Sequence, residues 1–164
     1  MSDRSLGRIL KRINITLERD SLVKQTLEQL RENLRVDRVV LYYFYRKWEG
    51  QVTCESLELP HFSILGSTGP DECFNGEYAR MYEEGRIKAI EDIETASISP
   101  CHRDFLRDLQ VRANLVVPIL NNKGLWGLLI AHQCRNTRFW PAEDIQIMQQ
   151  AAKILQMSAP IQNS

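Results

Sequence analysis

Two thiols in this chain sit beside groups able to change their chemistry. In Asp71-Glu72-Cys73-Phe74 a cysteine follows two carboxylates, and in Cys101-His102 a second cysteine adjoins an imidazole. Thiolate is the nucleophilic form, and a free cysteine with a pKa near ~8.5 is mostly protonated at neutral pH, so each thiol needs assistance to react. Cys101 follows Ser99-Pro100 and opens a stretch with helical character to Leu109, which places it in a first turn. Unpaired N–H groups and a partial positive charge at that position lower a thiol pKa. Two nucleophiles arranged around one ligand point to a covalently held chromophore.

The other two cysteines read differently. Cys134 ends an apolar run and Cys54 alternates with polar neighbours, so the first is expected in the core and the second as a half-buried thiol. No C-x-x-C pair and no His cluster accompanies the four cysteines, which argues against structural zinc.

Elements must position these thiols. Leu6, Ile9, Leu10 and Ile13, then Val23, Leu27, Leu30 and Leu34, recur at helical spacing over residues 1–35, with a break near Asp20-Ser21 where Ser21 is the expected cap. Residues 38–45 are β-branched and aromatic, and residues 51–59 return as an antiparallel partner through the turn Lys47-Trp48-Glu49-Gly50. From Pro60 to Pro70 a loop leads into the Asp71 motif, and loops carry ligand chemistry more often than sheets do. A short helix over residues 78–84 ends at Gly85, and residues 87–93 form a strand. A second hairpin joins residues 114–120 to residues 125–131, both continuously apolar and hence buried on two faces. Trp126 and Trp140 are packing residues. A C-terminal helix over 141–158 starts at Pro141, with Ile145, Met148, Ala152 and Leu155 in one stripe. The order predicts an α+β domain over residues 1–164, an antiparallel sheet sandwiched by helices.

With 164 residues, 43% hydrophobic, the chain suits one domain with one core. Lys plus Arg equals Asp plus Glu, so no global field recruits nucleic acid or an anionic membrane. Basic residues interrupt the N-terminal apolar positions, and no apolar run approaches the ~20 residues that span a bilayer. The expected location is the cytoplasm.

The chain resembles the bilin-binding GAF domains of cyanobacteriochromes, in their two-cysteine subgroup. Five stretches in the family's order carry the resemblance: Asp71-Glu72-Cys73-Phe74, Tyr82-x-x-Gly85-Arg86, Cys101-His102, Val111-Arg-Ala-Asn-Leu-Val-Val-Pro118, and Leu125-Trp-Gly-Leu-Leu-Ile-Ala-His-Gln-Cys134. The resemblance implies a photoreceptor module, not a metabolic enzyme. Cys101 would be the thioether anchor of phycocyanobilin or its isomer phycoviolobilin, and Cys73 a reversible second linkage to the central methine bridge. Asp71 would repel a neighbouring thiolate, so its expected role is to accept charge-assisted hydrogen bonds from pyrrole N–H groups. Phe74 and Tyr82 offer faces to a flat ligand, His102 stacks beneath it or bonds to its nitrogens, and His132 and Asn114 lie along the chromophore, His132 near the D-ring. Arg80, Arg86 and Arg112 are the cations available to the propionates. Relatives carry Lys or Arg where this sequence has Met81, so Arg80 substitutes only if its side chain turns inward. Output domains such as a histidine kinase would lie outside this chain, and the terminal helices would pair protomers or continue into neighbouring domains. Two other readings stand beside it: a GAF domain binding a cyclic nucleotide or another small molecule noncovalently, which would need phosphate-binding cations and neither cysteine, and a redox sensor with a Cys73–Cys101 disulfide.

Overall fold

The computed structural model describes residues 3–46, 49–69 and 76–164. Helices α1 (Asp3–Arg19) and α2 (Ser21–Leu34) come first, separated at the expected break. The cap is Asp20, one residue before the Ser21 expected from sequence: its Oδ1 accepts from the Val23 amide at 2.9 Å. Strands β1 (Arg38–Arg46) and β2 (Glu49–Leu57) form the first hairpin. A single 3₁₀ turn follows at Pro60–Phe62, then α3 (Gly76–Glu83), β3 (Lys88–Ile90), α4 (Pro100–Asp108), β4 (Ala113–Asn121), β5 (Gly124–Gln133), α5 (Ala142–Gln156) and α6 (Ala159–Gln162). The third strand is thus shorter than the 87–93 expected. Pro141 is the N-cap of the C-terminal helix, not its first turn, and that helix yields to a separate turn of helix beyond Gln156.

All strands pair antiparallel in the order β2-β1-β5-β4-β3. Successive side chains of a strand point to opposite faces, and here the faces have different tasks. Val39, Leu41, Ala113, Leu115, Val117, Leu129 and Ala131 pack with Leu17, Leu27, Met148 and Leu155 of α1, α2 and α5 into the main core. The alternate positions Val40, Tyr42, Asn114, Val116, Leu128, Ile130 and His132 face the other way, toward α3 and α4.

Two of the three register shifts in the described sheet keep both patterns in phase. Leu41 pairs with Cys54 but Tyr42 with Val52, leaving Thr53 extra, and its hydroxyl donates to the Leu41 carbonyl at 3.4 Å. Ile119 pairs with Gly127 but Leu120 with Leu125, leaving Trp126 extra and turning its ring into the main core. Gly127 lies against the first strand so closely that an added Cβ would stand 2.1 Å from the Tyr42 carbonyl oxygen. Gly127→Val should therefore push β1 and β5 apart and cost about 2–3 kcal/mol, the upper range of overpacking, read as a lowered urea midpoint.

Candidate chromophore cleft

A cleft lies between the second face of the sheet and helix α4, with an empty volume of ≈ 890 Å³ that includes space open to solvent. Its floor is Val40, Tyr42, Asn114, Val116, Leu128, Ile130 and His132, and its wall is His102, Phe105, Leu106 and Leu109 at helical spacing on α4.

Local chemistry sets α4 in place. Ser99 is its N-cap, the hydroxyl accepting from the His102 amide at 3.1 Å, and Pro100 supplies a fixed φ without an orphan N–H. Cys101 consequently occupies the first turn, as expected, and lies one turn ahead of Phe105 on the same helix stripe. Leu106 packs with Ile90, Ile93 and Val111 in a satellite core, while Arg103 donates to the carbonyls of Ile93 at 2.9 Å and Ala96 at 2.6 Å. Cys101 is disulfide-bonded in this structure. Cys54 and Cys134 are free. Burial pushes the Cys54 thiol up to about 12 and the Cys134 thiol up to about 11, which leaves both as poor nucleophiles. Cys54 belongs to the main core, more buried than its alternation suggested, whereas Cys134 is only half-buried just beyond the end of β5.

Helix α3 ends in a Schellman turn: Arg86 N–H reaches the Met81 carbonyl at 2.9 Å, Gly85 N–H reaches Tyr82 at 3.0 Å, and Gly85 takes φ +94°. This turn delivers Arg86 to the cleft, where its Nη1 lies against Met81 Sδ. Lys88 follows on β3 and also lines the cleft. Burial, and then the Lys88 and Arg86 charges, lower the His102 pKa, so His102 is a neutral imidazole at pH 7. Burial and Arg86 likewise lower Lys88. Both basic side chains line the cleft.

The cleft thus collects Tyr82, Arg86, His102, Asn114 and His132. Arg80 is exposed, and Arg112 turns to Asp92 at 3.5 Å; neither lines the cleft. Asp71, Cys73 and Phe74 lie outside the described residues. Gly69, at the end of the preceding described segment, donates its N–H to Tyr42 Oη at 2.9 Å. Asn114 is 3% exposed, and its Oδ1 has no hydrogen-bond partner among the described residues. A buried amide oxygen of this kind calls for a donor from a ligand or water. Lys88 and Tyr42 were not singled out from sequence. The one available signal was their parity in strands whose other residues face the cleft.

Residues 18–158 match the GAF domain family. The chain belongs to that family. This GAF domain is 54% identical over 155 residues to an uncharacterized protein of Picosynechococcus sp. strain PCC 7002, covering 94% of this chain and 95% of that one. It is 37% identical over 145 residues to a putative methyl-accepting chemotaxis protein of Synechocystis sp. strain PCC 6803, where 88% of this chain corresponds to 14% of the longer protein. Among solved structures, the blue-light absorbing form of the Thermosynechococcus elongatus PixJ GAF domain matches with a TM-score of 0.69 and 36% identity, covering 80% of this chain and 83% of that one. The phycocyanobilin-bound GAF domain of a cyanobacterial phytochrome matches with a TM-score of 0.72 and 26% identity, covering 92% and 91%. Among the described residues no helix is long and apolar enough to cross a membrane, and no group of His, Cys, Asp and Glu could hold a metal ion.

Beside the cleft, Asp37 holds the end of β5. Its carboxylate accepts from the Cys134 amide at 2.7 Å, the Arg135 amide at 3.2 Å and the Arg135 guanidinium. Burial works against ionisation, but these bonds outweigh it and hold Asp37 below its ordinary 3.8. A depressed carboxyl pKa stabilises the fold above the unfolded value and ceases to do so as pH falls through the folded value. Asp37→Asn should cost about 1–3 kcal/mol at pH 7 and flatten the loss of stability below about pH 4, checked by urea unfolding across that range.

Proposed function

We propose that this GAF domain is a light sensor that carries a linear tetrapyrrole, phycocyanobilin or phycoviolobilin, as a thioether on Cys101. The observation that carries the reading is the cleft itself: an apolar slot with a nucleophilic residue at the start of its helical wall, a neutral imidazole beside it, and a buried amide oxygen lacking a partner. The PixJ and phytochrome likenesses support it.

The helix start favours the thiolate of Cys101, and His102 is placed in sequence to accept the thiol proton. As a reduced thiol, Cys101 would hold the tetrapyrrole through a thioether to its A-ring side chain. Arg86 and Lys88 balance the propionates, Asp71 and Asn114 accept pyrrole and lactam N–H bonds, Phe74 and Tyr82 flank the rings, and His132 faces the D-ring. The bound tetrapyrrole supplies visible absorption and a photoisomerisable double bond between its C and D rings. Cys73 would provide the second, reversible linkage at the central methine bridge, and so the alternation between a blue- or violet-absorbing state and one at longer wavelength. Displacement of the terminal helices passes the change to output domains of a larger receptor, through a helix-paired homodimer in the cytoplasm.

The oxidised state of Cys101 favours a second reading, thiol redox sensing. Coexpression with bilin-synthesis enzymes, followed by zinc-dependent fluorescence of the denatured protein, separates the two. A fluorescent band supports the photoreceptor; a colourless protein that responds only to reductant supports the redox sensor.

A further inference from the structure

Arg38 opens β1 and has no solvent exposure. A buried guanidinium carries a large desolvation cost unless each side of it is bonded. Here Nη1 donates to the Phe62 carbonyl at 2.7 Å, Nη2 to the Leu109 carbonyl at 2.7 Å, and Nε to His132 Nδ1 at 3.1 Å. The ionisable groups around it are Asp37, Glu55 and Cys134, of which the two carboxylates are charged at neutral pH. One side chain thereby ties together the loop after β2, the C-terminal end of α4 and the floor of the cleft.

The third bond has a chemical consequence. Guanidinium has donors and no acceptor, so His132 Nδ1 must present a lone pair to it. A neutral imidazole with its lone pair at Nδ1 carries its proton at Nε2. Residues Arg38, His132 and Asn114 are directly opposite one another across β1, β5 and β4, and His132 and Asn114 both line the cleft.

We propose that Arg38 is a positioning residue that holds His132 as the Nε2–H tautomer, so that the buried end of the cleft offers a fixed N–H donor to a ligand carbonyl. Naming that carbonyl as a lactam rests on the bilin reading; the tautomer does not. A lactam edge carries C=O beside N–H, the complement of a His132 donor set next to the Asn114 oxygen. Burial, and then the Arg38 charge, keep His132 neutral, consistent with this geometry.

The test is long-range ¹H–¹⁵N NMR on pigment-free chain labelled at histidine, with the His132 signal assigned through His132→Gln. The expected result is an unprotonated Nδ1 and a protonated Nε2 that do not titrate between about pH 5.5 and 8. Arg38→Lys, which lacks the planar fork, should average the two tautomers or let His132 titrate. A protonated Nδ1 in the unsubstituted chain overturns the proposal even if Arg38→Lys fails to fold. A folded Arg38→Lys protein with unchanged His132 shifts overturns it too, leaving Arg38 as a structural tie alone. Because no pigment is used, either failure leaves the photoreceptor reading standing, and loss of covalent pigment leaves the tautomer result standing.

Discussion

Cys101→Ala should abolish covalent attachment while leaving the fold intact. Coexpressed with bilin-synthesis enzymes, the variant is expected to show no zinc-dependent fluorescence after denaturation and no mass above that of the polypeptide. The effect is all or none because the two free thiols in the described structure cannot replace it. Cys54 is in the main core on the opposite face of the sheet, and burial suppresses the thiolate of both Cys54 and Cys134. Alanine has high helix propensity, and Ser99, Pro100 and Arg103 hold the helix start. Pigment held loosely in the cleft is expected to leave on denaturation. A denaturation-resistant band in this variant would move the anchor to another residue.

Cys73→Ala should separate colour from attachment. The thioether at Cys101 is retained, so the variant stays pigmented and its denatured band stays fluorescent. The blue- or violet-absorbing state is lost, because no second sulfur converts the central methine carbon to a tetrahedral centre, and both photostates then absorb with conjugation undivided. Absorption spectra before and after illumination read the result. A blue state that survives in Cys73→Ala removes the second-thiol mechanism and leaves the photoreceptor in place.

Much of the arrangement is written in residue periodicity. The continuous apolar runs of β4 and β5 foretold strands buried on both faces, and the stripe Ile145, Met148, Ala152, Leu155 foretold the face of α5 that covers the sheet. Ser99-Pro100 marked the start of α4, and Gly85 marked the Schellman turn that delivers Arg86. What was hidden depended on long-range geometry. The bulges at Thr53 and Trp126 leave no local signal, yet they decide which face Cys54 and Trp126 occupy. Nothing in the local sequence marks Arg38, at the start of an apolar strand, as a buried charge. Its burial follows from carbonyls at positions 62 and 109 and an imidazole at position 132, all remote along the chain. Among the candidate propionate anchors, composition could not rank Arg80, Arg86 and Arg112. The pairing of Arg112 with Asp92 and the outward position of Arg80 leave Arg86 facing the cleft, joined by Lys88.

The most direct test of the account is peptide mass spectrometry on reduced protein coexpressed with bilin-synthesis enzymes. Trypsin releases residues 89–103, which contain Cys101. The account predicts that this peptide absorbs visible light and carries the mass of one tetrapyrrole on Cys101. Recovery of the same peptide colourless and at its unmodified mass, from protein that is folded and was made with ample pigment, would contradict it.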